Sequence, residues 1–271
     1  MIEINLKGGL GNQMFQYATA RNLSIKYKTD LVLNTEYFSH IPRGDVQRKY
    51  QLDIFNIDSN TKIKDTINPI IKIWQKISLK FFDEKIQIHI ANSLLKINLS
   101  VCLNGYFQND KYFKDIRNIL LNEFTLTKQL GDEAVKIKNL LEKSESVCLN
   151  VRRSDYLRPE NIKMFGTINM EYYNNAIDYI KNKVKNPLIC VFSDDPEWVK
   201  KEFKIDNVIF AGNDILKDYE QLYLMSICKH NIIANSSFAW WGAWLNQNPN
   251  KIIVCPKEWS INKSPKEWVQ I

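Results

Sequence analysis

The chain has 271 residues, of which 45% are hydrophobic and 25% charged, a composition that excludes a disordered or low-complexity protein and a length that allows two domains, each with its own core. Its formal net charge of +7 and pI of about 9.0 suit nucleic acid, an anionic membrane surface or a phosphorylated small molecule, but the basic residues are scattered and read mostly as solvated surface. Five cysteines without a Cys-x-x-Cys pair and three widely separated histidines argue against a disulfide framework or a zinc site, and no run approaches the roughly 18 apolar residues that span a bilayer, so a reduced, soluble, cytoplasmic protein is expected.

In chain order, Ile2 to Leu6 alternates as a first strand. Lys7-Gly-Gly-Leu-Gly-Asn-Gln13 follows as a turn, and a helix runs from about Met14 to Tyr27. Glycines there permit positive φ and close backbone approach, and a helix start is a general anion site. The loop reads either as a tight turn or as a cradle for phosphate or sugar, with Gly9, Gly11, Asn12 and Gln13 as its candidate contacts. Leu31 to Asn34 gives a second strand. The pattern then loosens: Pro42 to Asp45 is a turn, and Ile70 to Phe82 reads as an apolar helix with basic flanks. Val101 to Asn104 resumes as a strand and enters Gly105-Tyr-Phe-Gln108, whose aromatics, with Tyr112 and Phe113, are expected in the core. Gln108 and Asn109 are placed to line a cleft.

The charged helical stretch from Thr127 to Lys143 is expected to bridge two domains, 1–143 and 144–271. Beyond it, apolar strands near 147–151, 188–192, 207–210, 231–234 and 251–254 alternate with helices near 170–184, 196–203, 216–229 and 238–246. That alternation means a parallel sheet covered on both faces, a Rossmann-like half. Such sheets bind ligands beyond the carboxyl ends of their strands, and there the polar residues gather. Val147 to Val151 ends in Arg152, Arg153, Ser154 and Asp155. Guanidinium groups match phosphate oxygens, although a surface ion pair would give the same residues a bland role. Leu188 to Phe192 ends in Ser193, Asp194 and Asp195, with Asp195 before Pro196 reading as a helix N-cap. Ile232 to Ala234 ends in Asn235, Ser236, Ser237 and Phe238. The two serines either cap the next helix or hold a pyrophosphate, and Trp240, Trp241 and Trp244 read as helix packing.

Four stretches in order, Gly8-Gly-Leu-Gly-Asn-Gln-Met-Phe-Gln-Tyr-Ala18, Gly105-Tyr-Phe-Gln108, Val151-Arg-Arg-Ser-Asp155 and Asn235-Ser-Ser-Phe-Ala-Trp-Trp-Gly-Ala-Trp244, closely resemble the bacterial type of α-1,2-fucosyltransferases of glycosyltransferase family 11. The resemblance extends to Cys255-Pro-Lys-Glu-Trp259. It implies an α/β, GT-B-like architecture: two Rossmann-like domains with a cleft between them, an acceptor-side first domain and a donor-binding second one. It also implies GDP-fucose as donor, inversion at the anomeric carbon and a terminal galactose as acceptor. Arg152 and Arg153 would then neutralise the departing diphosphate. Gly9, Gly11, Asn12, Gln13, Asn150, Asp194, Asn235, Ser236, Ser237 and Phe238 would bind the donor, Asn12 near the fucose and β-phosphate as in protein O-fucosyltransferases.

One position departs from the family. The residue two before the arginine pair is usually histidine and here is Asn150, which cannot act as a base or carry charge. Either that position never served as the base, and a carboxylate does, with Asp155 and Glu160 as candidates and Glu160 at the spacing of a glutamate in related α-1,6-fucosyltransferases, or the chain is a degenerate homologue that binds GDP; a related transferase with another nucleotide sugar or acceptor is the further alternative. No Asp-x-Asp motif stands at a comparable place, so no cofactor and no metal are expected. The partners implied are GDP-fucose and a galactose-terminated or lipid-linked glycan, reached by peripheral contact with the inner membrane face, and no nucleic acid.

Overall fold

A computed structural model describes residues 1–41, 46–65, 83–152, 168–212, 216–257 and 264–271. The chain forms two compact units, Met1–Thr127 and Lys128–Ile271, each built on a parallel β-sheet. The α/β, two-Rossmann-unit expectation is met in both.

In the first unit, strands β1 (Ile2–Asn5), β2 (Leu31–Asn34), β3 (Lys62–Lys64) and β4 (Val101–Leu103) lie in the order β3-β2-β1-β4, all parallel. Helix α1 (Leu10–Tyr27) crosses from β1 to β2. It begins four residues earlier than the sequence pattern suggested, because the chain turns within two glycines. Gly8 has φ +78° and Gly9 is extended, at ψ 175°. A Cβ on Gly8 would also lie 2.6 Å from the Asn12 side-chain nitrogen, so this position needs glycine twice over. Gly11, Asn12 and Gln13 consequently belong to the first turns of the helix and not to a loop. Among the described residues this unit also holds helices α2 (Glu36–Ser39), α3 (Glu84–Lys96) and α4 (Arg117–Glu123), and α5 (Asp132–Glu142) follows beyond its end. The expected helix at 70–82 lies outside the described residues.

Helix α5 corrects the domain reading. Its stripe of Ala134, Ile137 and Leu141 is buried in the second unit's core with Cys148, Cys190 and Leu224. It is therefore an integral layer of that unit and not a bridge, and the division falls before it. Thr127, by contrast, is tied to the first unit by donating its N–H to Ile54 at 2.9 Å.

The second sheet contains β5 (Ser146–Val151), β6 (Leu188–Ser193), β7 (Val208–Phe210), β8 (His230–Ile232), β9 (Ile253–Cys255) and β10 (Val269–Gln270). Its order is β10-β9-β8-β5-β6-β7, all parallel. Side chains alternate across a strand, so β5 feeds two cores. Val147, Leu149 and Val151 face Tyr173, Ile177 and Ile180 of α6 (Met170–Lys181). Cys148 faces the opposite core, with Leu224 and Met225 of α8 (Asp218–Ile227). Burying one such leucine or valine stabilises the unit by about 1.5–3 kcal/mol. Helix α7 (Pro196–Glu202) follows β6 and α9 (Ser237–Leu245) follows β8.

The tryptophans pack as expected. Trp240 and Trp241 are fully buried, with ring centroids 5.1 Å apart. Gly242 lets α9 come so close to α8 that a Cβ there would lie 2.7 Å from Met225. Four of the five cysteines are buried free thiols. Phe107 and Phe113 are in the core, but Tyr106 is not: it is 39% exposed, with the Lys7 ammonium 4.7 Å from its ring centre.

Candidate active site

Each sheet reverses its strand order at one place, and ligands of open parallel sheets bind beyond the carboxyl ends of the strands at such a point. In the first unit the reversal is between β1 and β4, because β1 is followed outward by β2 and β3 on one side and by β4 on the other. In the second it is between β5 and β8. Each reversal receives two of the four sequence motifs.

At the first, Lys7 to Gln13 follows β1 and Gly105 to Gln108 follows β4. Side-chain amides join them. Gln108 donates to the Asn12 Oδ1 at 2.6 Å, Gln16 donates to the Gly105 carbonyl at 3.1 Å, and Gln16 accepts from the Lys7 N–H at 3.1 Å. Glu84, at the first position of α3, accepts from the N–H groups of Tyr106 and Phe107 at 2.7 and 2.8 Å. Asn12 is half-buried, and its amide nitrogen is left as a donor at the strand ends.

Gln13 has a different task from the one expected. It is fully buried and donates to the carbonyls of Gly8 and Lys49 at 3.0 and 2.9 Å. Its oxygen accepts from the Gln51 N–H at 2.9 Å. Both amide hydrogens are therefore used within the protein, and Gln13 staples the segment 49–51 to the glycine turn. With its amide so engaged, Gln13 positions the glycine turn.

At the second reversal, Arg152 follows β5 directly. Its Nη1 is 3.5 Å from Asp194 Oδ2, an aspartate only 8% exposed in its side chain at the end of the adjacent β6. Asp194 thus restrains the guanidinium, and a carboxylate this close to it is suited to aiming the arginine rather than to touching a phosphate itself. Asp195 accepts from the Trp198 N–H at 3.2 Å and caps α7, as the sequence suggested. Asn150 is buried in β5, where its amide donates to the Phe192 carbonyl of β6 at 3.3 Å. Its Oδ1 is buried without a hydrogen-bond partner among the described residues.

Beyond β8, Asn235 and Ser236 are buried, and Ser237 and Phe238 are half-buried. Ser236 caps α9 by accepting from Ala239 at 3.5 Å. Tyr172 of α6 donates to the Ile233 carbonyl at 2.7 Å and fixes this strand end. The sequence does not single this tyrosine out, since nothing in its helix marks a side chain that reaches a strand end. Arg153, Asp155 and Glu160 lie outside the described residues.

The glycine turn, the aromatic-glutamine turn and the arginine-bearing strand end lie in the order of one known family. The model of glycosyl transferase family 11 matches residues 1–270. The chain belongs to glycosyltransferase family 11. Among its relatives, the O-antigen biosynthesis glycosyltransferase WbnK of Escherichia coli is 34% identical over 94% of this chain and 93% of that one. An α-1,2-colitosyltransferase of Escherichia coli is 33% identical over 100% and 99%, and the mouse galactoside 2-α-L-fucosyltransferase Sec1 is 28% identical over 90% and 64%. Of solved structures, the fucosyltransferase NodZ from Bradyrhizobium matches with a TM-score of 0.53 at 13% identity, covering 89% of this chain and 92% of that one. This likeness shows the fold. Among the described residues of this family-11 glycosyltransferase, no helix is long and apolar enough to cross a membrane.

Proposed function

We propose that this glycosyltransferase moves fucose from GDP-fucose to the 2-hydroxyl of a terminal galactose, with inversion at the anomeric carbon. The observation that carries the reading is Arg152, held by Asp194 at the strand-order reversal of the second sheet, in a chain whose relatives include a 2-α-L-fucosyltransferase. A NodZ α-1,6-fucosyltransferase with the same fold has been soaked with GDP-fucose, which favours a GDP-sugar donor.

In the reaction the bond between the fucose C1 and the β-phosphate oxygen breaks, and GDP leaves with the electron pair. The acceptor oxygen bonds to C1 from the opposite face, and its proton passes to a carboxylate, for which Asp155 and Glu160 are the candidates. Negative charge grows on the leaving diphosphate. A fixed guanidinium beside it stabilises the transition state more than the ground state, the role given to Arg152 together with Arg153. That role is one a divalent ion would otherwise fill, so transfer without metal or cofactor is part of the proposal. Asn12, Asn235, Ser236, Ser237 and Phe238 are its proposed donor contacts, with Gly9 and Gly11 allowing close approach. WbnK's place in O-antigen biosynthesis favours a lipid-linked glycan as the natural acceptor, met in the cytoplasm at the membrane face.

The colitosyltransferase relative, almost as similar as WbnK, supports one second reading, a donor whose sugar is colitose. Competition between GDP-fucose, GDP-colitose and a UDP-sugar for transfer to one galactoside tests both. Preference for GDP-fucose is expected. Preference for GDP-colitose would replace the donor, and preference for a UDP-sugar would overturn both readings.

A further inference from the structure

Arg48 precedes the stretch that Gln13 staples to the glycine turn. Because the staple fixes the Lys49 carbonyl and the Gln51 N–H, Arg48 is anchored from one side by three hydrogen bonds that meet on a fully buried amide. Its guanidinium lies over the bare Cα of Gly9. A Cβ built there would meet only this group, 3.9 Å from Cζ and 4.0 Å from Nη1. The side chain is exposed, and among the described residues no carboxylate pairs with it.

The neighbouring helix start adds no negative charge. Helix α1 has Gly9 as its N-cap, with no side-chain cap and no acidic residue in its first turn, so the positive end of an 18-residue helix adds to the guanidinium. A cation kept in place by a buried staple, with no counter-ion among the described residues, is arranged for an anion that arrives from outside.

We infer that Arg48 binds a phosphate group of a substrate, with Gln13 as its positioning residue. The inference rests on the glycosyl-transfer reading, which supplies two sources for that phosphate: the diphosphate of the sugar nucleotide, and the diphosphate that joins a lipid-linked acceptor to its carrier. Neither Arg48 nor its segment belongs to any of the four motifs.

Direct titration of the wild type, Arg48→Gln and Arg48→Lys with GDP and with a polyprenyl-diphosphate-linked galactoside tests it, alongside transfer to lactose, which carries no phosphate. Arg48→Gln is expected to fold with unchanged Tm and to bind one of the two diphosphates at least about tenfold more weakly, with partial recovery in Arg48→Lys. Weaker GDP binding, with a higher KM for the donor even when lactose is acceptor, assigns Arg48 to the donor. Loss confined to the lipid-linked galactoside assigns it to the acceptor. Unchanged affinity for both overturns the inference. Because binding is read separately, absence of fucosyl transfer by the wild type would remove the proposed reaction while the titrations still decide the role of Arg48.

Discussion

Arg152 and Asp194 show how a neighbouring strand restrains a residue that the sequence only singles out. An arginine at the end of a buried strand can point in many directions; an aspartate 3.5 Å away on the neighbouring strand narrows them. Arg152→Ala and Arg153→Ala are each expected to lower kcat by at least about tenfold, about 1.4 kcal/mol of barrier, with the fold intact by circular dichroism. Full turnover in both variants would remove the diphosphate from this strand end. Gly8 is a sharper case on the structural side. With φ +78° and Asn12 2.6 Å from any added Cβ, Gly8→Ala should cost about 1–2 kcal/mol in backbone conformation and also displace Asn12. A urea midpoint unchanged from wild type would contradict that. The glycine turn was legible in the sequence because glycines announce a turn. The task of Gln13 was not, because a glutamine that binds ligand and one that binds three backbone groups look alike until the partner segment 49–51, dozens of residues away, is in place.

Strands β5 to β9 followed, with shifted ends, from the alternation of apolar runs with helical stripes, the two-residue β10 (Val269–Gln270) did not, and the helix capped by Asp195 followed from the proline after it. Helix α5 did not. Its charged face suggested a solvated connection, while only three residues, Ala134, Ile137 and Leu141, carry it into the core. Strand β8 makes a prediction of its own. His230 begins it, buried, and accepts the Ile252 N–H on Nδ1 at 3.0 Å, the bond that helps align β9. Burial holds its pKa below the ordinary value, partly opposed by Glu145. The unfolded chain therefore takes up a proton at about pH 6.5 that the folded chain refuses, so stability should be full above that pH and decline as pH falls through it. His230→Asn, which can still offer an acceptor to Ile252, should flatten this decline. Equal slopes of urea midpoint against pH between 8 and 5 in both proteins would show that His230 is not responsible.

At the scale of the whole molecule, the two units repeat one topological idea. Each starts a parallel sheet at its centre, adds two strands outward, then returns to the other side of the first. That return brings Gln108 to Asn12 across 96 positions of sequence, and it brings the stretch after β8 to the one after β5. Motifs that stand far apart in the chain are neighbours in pairs for this reason. The sequence disclosed their residues and their order, and through their resemblance the family; strand adjacency, which decides what each residue touches, comes from long-range pairing that local periodicity does not encode.

The most direct test is the product itself. Incubated with GDP-fucose and lactose in EDTA, the enzyme should yield a trisaccharide in which NMR places fucose on the 2-position of galactose through an α linkage. Fucose on another hydroxyl, or transfer that vanishes in EDTA and returns with a divalent ion, would contradict the account.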